Sequence, residues 1–583
     1  MSGNEAIARG AYEAGVTVAA GYPGTPSTEI LENIVQYTSI KAQWSPNEKV
    51  ALEVGAGASI GGARALVTMK HVGVNVAADP LFTVAYTGVN GGLLLISADD
   101  PGMHSSQNEQ DNRYYGKFAK VPVVEPSDSQ EAKDFIGIAL QISEDFDTPV
   151  IFRTTTRVNH SQSLVGLKEP RTPVLKPYVK NPQKYVMVPA YARLRHVVVE
   201  DRLVKLARYA ETSPLNRIEW GGKKIGVITG GICYQYVKEA LPEASVLKLG
   251  MSFPLPEGLI REFARGVDNL FVVEELEPFL EEQVRALGLK VHGKDIFTRI
   301  GEYTPNLIAQ KILLTIGAQE KAEYLASPAN SGEPVPVRPP VMCPGCPHRG
   351  VFYTLKQLKA VVAGDIGCYT LGSLAPLEAM DTTICMGASI GTALGMEKAN
   401  PEFKGRTVSV IGDSTFMHSG ITGLVDLVYN QGQGTVLILD NSITAMTGHQ
   451  HNPATGKTLS EQPSYQVDLV KLVQACGISR VQVVDPFELK QVKAVLQEEM
   501  AAPEPSVVIL RRPCALIVKA TGESVETNQE NCTGCFQCIK LGCPAISKGE
   551  KTVMINSALC TGCGLCLQVC KFSALVKVGG KGE

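Results

Sequence analysis

Eight of the 15 cysteines lie in one short stretch, between Cys532 and Cys570 of a chain of 583 residues. Cysteines this close together constrain the fold of the segment, since they form either disulfides or metal sites. A disulfide framework is typical of exported chains. The N-terminus (MSGNEAIARGAYEAG) lacks a basic stretch followed by an apolar core, so we expect no signal peptide. Metal ligation is therefore the better interpretation, and we expect a cytoplasmic protein.

The cysteine stretch repeats itself. NCTGCFQC at 531–538 and LCTGCGLC at 559–566 are offset by 28 residues (560 − 532), and each is followed by one more cysteine. A C-x2-C-x2-C run wraps three corners of a [4Fe–4S] cluster, and in two-cluster ferredoxins the other half supplies the fourth ligand. The pattern therefore predicts two clusters, one bound by Cys532, Cys535, Cys538 and Cys570, the other by Cys560, Cys563, Cys566 and Cys543.

Two features depart from the bacterial ferredoxin pattern. Four residues rather than three separate Cys538 from Cys543, and Lys571 stands where a second proline is usual. Neither change removes a ligand. A pair of zinc sites is the alternative, but zinc ribbons use paired C-x2-C motifs rather than a triple run with a distant fourth cysteine.

Upstream of the tail, apolar runs such as GGLLLISA, TVSVIGD and TVLILD alternate with amphipathic stretches. This alternation predicts buried parallel strands with crossover helices, an α/β fold. A hydrophobic content of 44% and a net charge of −3 give no reason to expect a nucleic-acid partner. No apolar run approaches the ~20 residues of a membrane span. We predict three α/β units and a small α+β tail, at 1–165, 215–320, 340–517 and 525–583, with linkers at about 168–195, 327–340 and 519–530.

The run TVSVIGDSTFMHSGITGL predicts a strand, a tight turn at Gly412, Asp413 and Ser414, and a helix. Such a turn presents N–H groups to an anion, and Asp413 offers oxygen ligands to a Mg²⁺ that bridges phosphates. Twenty-six residues later another apolar strand ends near Asn441 and Ile443. This order resembles the thiamine-diphosphate motif, in which the aspartate, the asparagine side chain and the later carbonyl bind the metal. An ordinary turn is the alternative, and Ser414 replaces the usual glycine.

Two further segments fit a thiamine enzyme. Gly387, in ICMGASIGTALG, opens a second glycine-rich turn suited to the diphosphate. SPNEKVALEVGAGASIGG resembles the helix that carries the glutamate which hydrogen-bonds the aminopyrimidine N1′ of the coenzyme. Glu48 is in the matching place, ahead of small residues that allow close approach. Glu53 is the rival, and a solvated helix glutamate is the unremarkable alternative for either.

GYPGTPSTEI at 21–30 resembles the YPxTPS segment of 2-oxoacid:ferredoxin oxidoreductases, whose threonine lies beside substrate and cofactor; Thr25 is the match. ISADDPGMHSSQNEQDNRYYG and CPGCPHRG resemble more narrowly the alpha subunits of the indolepyruvate branch of this family. The resemblance covers nearly the whole chain. It implies a pyrimidine-binding thiamine domain, a transketolase-C-like domain, a diphosphate- and magnesium-binding thiamine domain and a ferredoxin domain, in that order.

The same resemblance implies a third [4Fe–4S] cluster near the thiamine. Family members bind it through cysteines in CPGC, IGC and PC contexts, which match Cys343, Cys346, Cys368 and Cys514 here. A zinc or purely structural role is the alternative. We expect the other three cysteines, Cys233, Cys385 and Cys476, to be buried apolar residues. His104 and His348 lie in family segments, and either a ligand contact or a structural role fits each.

The resemblance implies oxidative decarboxylation of aryl 2-oxoacids with coenzyme A, with electrons passing through the clusters to an external ferredoxin. It also implies a smaller beta (gamma-type) subunit and an assembly of alpha/beta pairs. One alternative is a non-redox thiamine decarboxylase or synthase with an accessory tail, which oxoacid-dependent viologen reduction would distinguish. Another is a non-catalytic electron-transfer scaffold, which would bind no thiamine.

Overall fold

The structure is a computed structural model that describes residues 1–319, 322, 336, 338–518 and 523–578. The chain divides into two compact units, Met1–Pro334 and Val335–Glu583. The first two predicted α/β regions therefore fall within one compact unit, and the third region falls in the other unit with the cysteine-rich tail. Most of the predicted linker at 327–340, and residues 519–522 of the linker before the tail, lie outside the described residues.

The described strands of the first unit form two sheets. In chain order they are β1 Val18–Gly21, β2 Lys41–Trp44, β3 Ala65–Lys70, β4 Leu93–Asp99, β5 Val123–Val124, β6 Val150–Thr155, β7 Asn216–Glu219, β8 Gly222–Thr229, β9 Ala244–Leu249, β10 Met251–Phe253 and β11 Leu270–Val273. The larger sheet has the order β10-β5-β6-β4-β3-β1-β2 and is parallel except for β10. The smaller has the order β11-β8-β9-β7, in which only β7 is antiparallel.

The central strands of the larger sheet are buried along their whole length, which is typical of parallel sheets covered on both faces. A Cβ built on Gly55 would lie 2.3 Å from Val67 Cγ2, so only glycine lets the helix Glu48–Ile60 lie this close to β3. The helices of this unit are Gly3–Glu13, Thr28–Ile34, Glu48–Ile60, His71–Val76, Ala78–Thr87, Arg113–Ala119, Ser129–Asp145, Thr156–His160, Pro182–Tyr185, Pro189–Thr212, Gly231–Ala240, Glu257–Arg265, Phe279–Ala286 and Pro305–Thr315.

The predicted linker at 168–195 differs from the structure at its C-terminal end, where the helix Pro189–Thr212 begins. Proline at the first helical position is compatible with a helix, because that N–H has no intrahelical partner. The buried Arg202 guanidinium donates to the carbonyl oxygens of Asp147 and Ala85, each at 2.7 Å. Part of the stretch that reads as a basic linker is therefore an integral helix of the first unit.

The second unit contains one parallel sheet and two small antiparallel pairs. Its strands are β12 Val361–Ala363, β13 Thr407–Gly412, β14 Thr435–Asp440, β15 Arg480–Val484, β16 Ser506–Arg511, β17 Ser524–Thr527, β18 Ile546–Lys548, β19 Val553–Ile555 and β20 Leu575–Val578. The parallel sheet has the order β12-β13-β14-β16-β15, and in the tail β17 pairs with β20 and β18 with β19. The helices beside the parallel sheet are His348–Leu358, Ala388–Ala399, Asp413–Thr415, Ile421–Tyr429, Leu469–Ala475 and Leu489–Met500, with 3-10 turns at Cys368–Ser373 and Pro401–Phe403 and a π turn at Phe416–Gly420.

The tail has the internal duplication that the sequence predicts. The 3-10 turn Gln537–Leu541 and the helix Leu565–Val569 begin 28 residues apart (565 − 537). This offset equals that of the cysteine motifs. Among the described residues of both units, no helix has the length and apolar character required to cross a membrane.

Candidate active site and cysteine clusters

Four neighbouring parallel strands of the first unit end at one edge of the larger sheet. Thr25 follows β1, Glu48 follows β2, Lys70 is the last residue of β3, and Asp100 follows β4. In open α/β sheets, ligands bind outside the carboxyl ends of the strands. The fold thus places both residues predicted for catalysis, Glu48 and Thr25, at the edge where a ligand site is expected.

Glu48 begins the helix Glu48–Ile60 and is only 4% exposed. A Cβ built on Gly73 would lie 2.6 Å from Glu48 Oε1, so this glycine makes room for the carboxylate. Glu53, the rival candidate, has a 45% exposed side chain and forms an ion pair with Lys49 on the helix surface. Burial therefore favours Glu48 as the glutamate that meets a coenzyme.

The loop that carries Thr25 is held by several hydrogen bonds. Gly24 N donates to Thr28 Oγ1 at 3.0 Å, and Asn4 Nδ2 donates to the Pro26 carbonyl oxygen at 2.8 Å. Ser105 Oγ, from the loop after β4, donates to the Thr25 carbonyl oxygen at 3.4 Å. Thr25 itself is partly exposed, so it lies in an ordered loop at the surface of the sheet edge.

In the second unit, the ends of β13 and β14 bring Asp413, Asn441 and Ile443 together. Asp413 is 2% exposed, and burial, followed by the nearby carboxylate of Asp440, raises its pKa to about 7. One terminal atom of the Asn441 amide lies 2.7 Å from the Ile443 carbonyl oxygen and 3.1 Å from Asp413 Oδ1. The amide nitrogen donates to both from this position, and rotation of the amide presents its oxygen instead. In that rotamer three oxygens converge, as a magnesium ion requires.

Asn452 belongs to the same site, although it is absent from the residues that the sequence predicts. Its Nδ2 donates to Asp413 Oδ2 at 3.2 Å and to Thr444 Oγ1 at 3.4 Å. The Thr444 hydroxyl in turn donates to Ser414 Oγ at 2.9 Å. A polar, turn-rich stretch directly after a buried strand was the available signal, since such loops carry many functional residues. Its spacing alone did not point to one asparagine.

The predicted diphosphate turn at Gly387 is held by a buried carboxylate. Gly387 has φ +85°, and a Cβ built on it would lie 2.4 Å from Ser419 Cβ, so glycine is required. The N–H groups of Gly387 and Ser389 donate to the Asp365 carboxylate at 2.8 and 3.1 Å. Asp365 is fully buried, and burial raises its pKa. The sequence did not single out this aspartate. Contact between Gly387 and a diphosphate stays a prediction.

The four cysteines predicted for the third cluster lie near one another in the second unit, although not every pair among them is linked. Burial raises the pKa of Cys346 to about 12, and the thiols of Cys343 and Cys368 raise it further. Burial likewise raises the pKa of Cys368 to about 11, with added effects from Cys514 and Cys343. Thiols influence one another in this way only at short range, so the fold brings together three segments that are distant in sequence. We call these four residues the proximal cysteines.

The proximal cysteines are tied to the rest of the second unit by backbone contacts. Cys514 N donates to the Asn441 carbonyl oxygen at 2.9 Å, which links them to the candidate metal site. The Arg349 guanidinium donates to the Cys343 carbonyl oxygen at 3.0 Å and to that of Leu541, in the tail, at 2.8 Å. One arginine thus holds the CPGC loop against the tail.

The eight tail cysteines line two separate cavities. Four of them surround each cavity, together with apolar side chains. The first cavity is lined by Cys532, Cys535, Cys538 and Cys570, and the second by Cys543, Cys560, Cys563 and Cys566. These are the two groups that the crossed ligand pattern predicts. Backbone N–H groups of Ala574 and Val525 point at Cys570 Sγ (3.3 Å) and Cys560 Sγ (3.4 Å), contacts of the kind that tune cluster potentials.

Ligand spacing bears on the zinc alternative. Among the described residues, no group of three or more His, Cys, Asp or Glu side chains converges on a single ion. A structural zinc site needs four ligands around one ion. A cubane instead spreads its four thiolates around a cluster of iron and sulfide, so the choice between zinc and clusters rests on the triple C-x2-C-x2-C run of each motif.

The two histidines of the family segments have different surroundings. His104 Nε2 lies 2.9 Å from Glu302 Oε2, with 43% of its side chain exposed. His348 is buried, its ring lies 5.8 Å from that of Tyr369, and burial lowers its pKa to about 4. His348 is therefore neutral at physiological pH, and both a ligand contact and a structural role stay open for it.

The three remaining cysteines only partly match the expectation. Cys233 is buried as expected, and Cys476 is intermediate. Cys385 is exposed, so the expectation that it is a buried apolar residue is wrong. It lies in the loop just before the Gly387 turn.

Three family models match the chain. The pyruvate flavodoxin/ferredoxin oxidoreductase, thiamine-diphosphate-binding family matches residues 9–200. The thiamine pyrophosphate enzyme, C-terminal TPP binding domain matches 365–510, and the 4Fe-4S binding domain matches 553–576. These matches cover the Thr25 and Glu48 edge, the Asp413 site and the second half of the tail.

Curated relatives match along nearly the whole chain. Indolepyruvate oxidoreductase subunit IorA of Archaeoglobus fulgidus is 42% identical, over 99% of this chain and 97% of that protein. The subunit of the same name from Pyrococcus horikoshii is 40% identical, over 99% and 96%. A solved 2-oxoglutarate:ferredoxin oxidoreductase from Magnetococcus marinus is 16% identical with a TM-score of 0.46, over 54% of this chain and 65% of that one.

Proposed function

The chain belongs to the family of indolepyruvate oxidoreductase IorA subunits, thiamine-diphosphate-dependent 2-oxoacid:ferredoxin oxidoreductases, and we propose that its substrates are aryl 2-oxoacids of the indolepyruvate and phenylpyruvate type. Coenzyme A accepts the acyl group, and an external ferredoxin accepts the electrons. The observation that carries the proposal is the second unit itself, in which three candidate metal ligands share one compact body with three groups of four cysteines.

The residues of the second unit fit magnesium and a diphosphate. Asp413 is a buried carboxylate whose raised pKa reflects lost hydration, and a cation would supply the missing counter-charge. We assign the metal to Asp413, the Asn441 side chain and the Ile443 carbonyl, with Gly387, Gly412 and Ser414 on the diphosphate. Thiamine diphosphate, when bound, supplies the electron sink for loss of CO2 from a 2-oxoacid.

In the first unit, Glu48 takes the role of the carboxyl that hydrogen-bonds the aminopyrimidine N1′. Its near-complete burial suits this role, because a buried hydrogen bond to a carboxyl is stronger than one in water. Thr25 lies beside substrate and cofactor. Both residues are at the carboxyl edge of the larger sheet, where ligands of open α/β sheets bind.

The cysteine groups suggest an order of electron transfer within the second unit. A Cβ built on Gly345 would lie 2.4 Å from Thr561 Oγ1, so the CPGC loop packs on the second tail motif. Burial raises the pKa of Cys566 to about 12, and Cys538 of the first tail cavity is among the thiols that raise it further. We therefore order the clusters as proximal, then the one bound by Cys566, then the one bound by Cys538. The exposed Cys535 borders the last of these.

The proposal extends to a smaller beta (gamma-type) subunit in an assembly of alpha/beta pairs. We also propose a cytoplasmic location, because fifteen reduced cysteines, most of them cluster ligands, need a reducing compartment. Both points rest on the family and on the chemistry of the thiols.

The test is anaerobic purification of the complex, followed by counts of thiamine, magnesium, iron and sulfide and an assay of viologen reduction by indolepyruvate and coenzyme A. We expect about twelve irons per chain, four for each cubane. Glu48→Gln should lose dye reduction, whereas Glu53→Gln is the matched control and should keep it, since Glu53 is exposed and paired with Lys49.

Two results would contradict the proposal. Release of CO2 without dye reduction would favour a non-redox thiamine enzyme. A protein that holds its iron but binds no thiamine, with Glu48→Gln indistinguishable from the wild type, would favour an electron-transfer scaffold. About eight irons would contradict only the proximal cluster.

A further inference from the structure

Lys70 lies at the same sheet edge as Thr25. It ends β3, and the parallel register pairs Gly21 of β1 with Thr68 of β3, so both chains leave the sheet side by side. A Cβ built on Gly24 would lie 3.0 Å from Lys70 Cβ and 3.9 Å from its Cδ. The aliphatic stem of Lys70 therefore runs along the glycine that precedes Thr25.

The ammonium group of Lys70 has few partners for a buried cation. Lys70 is 9% exposed. Its Nζ donates to the Ser105 carbonyl oxygen at 2.6 Å and, at 3.4 Å, to Ser105 Oγ. Within the described part of the chain, no carboxylate oxygen lies within 4.0 Å of this nitrogen. Both contacts are to uncharged oxygens, so in the described part of the chain the ammonium group has no carboxylate in direct contact, and the Asp100 carboxylate attracts it only at longer range.

Two other lysines of this unit with buried side chains have a carboxylate as ion-pair partner. The side chains of Lys133 and Lys248 are 0% exposed, and each forms an ion pair, with Glu13 at 2.8 Å and with Glu131. A buried charge without a partner is costly. Desolvation accordingly lowers the pKa of Lys70 to about 8. Lys70 thus differs from these two lysines because, among the described residues, no carboxylate is in direct contact with it.

Asp100 is the carboxylate that attracts the Lys70 ammonium at longer range, and its oxygens accept hydrogen bonds from other groups. Its Oδ2 accepts the backbone N–H of Ser105 at 2.9 Å and the hydroxyl of Ser106 at 2.5 Å. Its Oδ1 accepts the Thr156 hydroxyl at 2.7 Å. These bonds fix the loop after β4, and the loop in turn places Ser105 against both Lys70 and the Thr25 carbonyl.

We propose that Lys70 binds the carboxylate of the 2-oxoacid, beside Thr25, and so holds the keto carbon at the carboxyl edge of the sheet. The inference rests on the proposed function and adds a residue that binds the substrate. The aliphatic part of the Lys70 side chain packs on Gly24, and its ammonium group donates to Ser105. An anion is the partner that would neutralise the charge. The substrate brings a carboxylate to every turnover. Coenzyme A and the diphosphate of the coenzyme are the other anions in this reaction, so the test separates the three.

The test compares Lys70→Met, Lys70→Arg and the wild type in the purified complex, with Lys117→Met, at an exposed lysine, as the control. Loss of a charge-assisted hydrogen bond corresponds to about a 10- to 100-fold effect. We expect the KM for indolepyruvate to rise by about that factor in Lys70→Met, with the KM for coenzyme A and the affinity for thiamine diphosphate unchanged. Lys70→Arg should recover part of the loss.

Direct binding gives a readout independent of turnover. Calorimetry with indole-3-lactate, which has the carboxylate, should show the same loss of affinity in Lys70→Met. Indole-3-ethanol, which lacks it, should bind equally to both proteins. Lys70→Met should also unfold at the same temperature as the wild type or higher, because it removes a buried charge that has no direct ion-pair partner among the described residues.

An unchanged KM for the oxoacid in Lys70→Met would overturn the inference, as would a change confined to coenzyme A or thiamine diphosphate. A lower unfolding temperature together with an unchanged KM would assign Lys70 a structural role. These outcomes differ from failure of the proposed function, in which the wild type itself would show no oxoacid-dependent dye reduction.

Discussion

The proximal cysteines and the tail cysteines both bring four thiols together, but by different means. Each group in the tail comes from the stretch between Cys532 and Cys570, where short glycine-containing loops wrap a cavity. The proximal group instead draws on segments from Cys343 to Cys514, and the parallel sheet of the second unit brings them together. The first arrangement depends on local sequence and the second on tertiary structure.

Because of this difference, the two groups of cysteines should respond differently to substitutions elsewhere in the second unit. The tail has its own small core, in which residues such as Val525, Val553 and Leu575 pack around the cysteines. The proximal group shares its support with the candidate metal site, through the hydrogen bond from Cys514 N to the Asn441 carbonyl. Changes at the sheet edge should therefore affect coenzyme and proximal cluster together and leave the tail clusters in place.

Asp413→Asn should have the largest effect of the changes considered. It removes the charged member of the candidate metal site, and a metal ligand is worth several kcal/mol, so we expect turnover to fall by roughly 1000-fold. Thiamine and magnesium contents should fall with it, while the reduced tail clusters keep their EPR signals. Asp426→Asn, on the exposed surface of the helix Ile421–Tyr429, is the control. Loss of the tail signals in Asp413→Asn would show that the two regions are not independent.

Cys514→Ser and Cys535→Ser compare the two cysteine regions directly. Cys514→Ser should take iron from about twelve to about eight per chain and abolish most oxoacid-dependent dye reduction, because electrons leave the coenzyme through the proximal cluster. Cys535→Ser should cost a similar amount of iron but retain more reduction of a small dye, which can take electrons from the earlier clusters. Equal loss of dye reduction in both variants would contradict the proposed order of clusters.

Sequence spacing could predict the tail because its ligands are neighbours along the chain. The same holds for Asp413, Asn441 and Ile443, which end adjacent parallel strands, and the structure brings these three together. The alternating apolar runs likewise predicted parallel α/β sheets, and this fold class is confirmed by the sheets and by the matching family models. In each case the structure could be predicted because the residues that determine it form a short pattern along the sequence.

Other residues could not be found in this way because their partners are distant in sequence. Asp365 meets the N–H of Gly387, and Asn452 meets Asp413, through contacts that no spacing rule describes. In the sequence Lys70 is an ordinary residue at the end of a strand, and only the structure shows that none of the described carboxylates is in direct contact with its ammonium group. The prediction for Cys385 was wrong because it relied on the general tendency of cysteine to be buried. Its position in a loop leaves the side chain exposed.

Asp365→Asn should have an intermediate effect, lowering both the folding stability of the protein and its affinity for thiamine diphosphate. The variant weakens charged hydrogen bonds to the N–H groups of Gly387 and Ser389, which costs about 2 kcal/mol of folding stability and about tenfold in thiamine affinity. Thermal unfolding and thiamine titration measure the two effects. Asp381→Asn is the matched control, because its carboxylate accepts the Val362 N–H away from this turn. A change in stability with no change in thiamine affinity would mean that the turn does not touch the coenzyme.

The smallest predicted effect is a pH dependence that belongs to the first unit alone. Lys70 has a pKa of about 8 and must be protonated to bind a carboxylate, so kcat/KM for the oxoacid should be constant below pH 8 and fall about tenfold per pH unit above it. Of the charged groups that face Lys70, the pKa of Asp100 is lowered and that of His71 is lowered by burial, so neither titrates in this range.

Lys70→Arg provides the decisive comparison, because a guanidinium stays protonated throughout this range. Its kcat/KM should be lower than that of the wild type at pH 7 but should not decline between pH 8 and about 10. Transfer of electrons from dithionite-reduced tail clusters to ferredoxin, measured in the same proteins, should show no such step, because that path does not involve the sheet edge of the first unit. A decline near pH 8 that persists in Lys70→Arg would place the titrating group elsewhere and leave Lys70 without a role in binding the substrate.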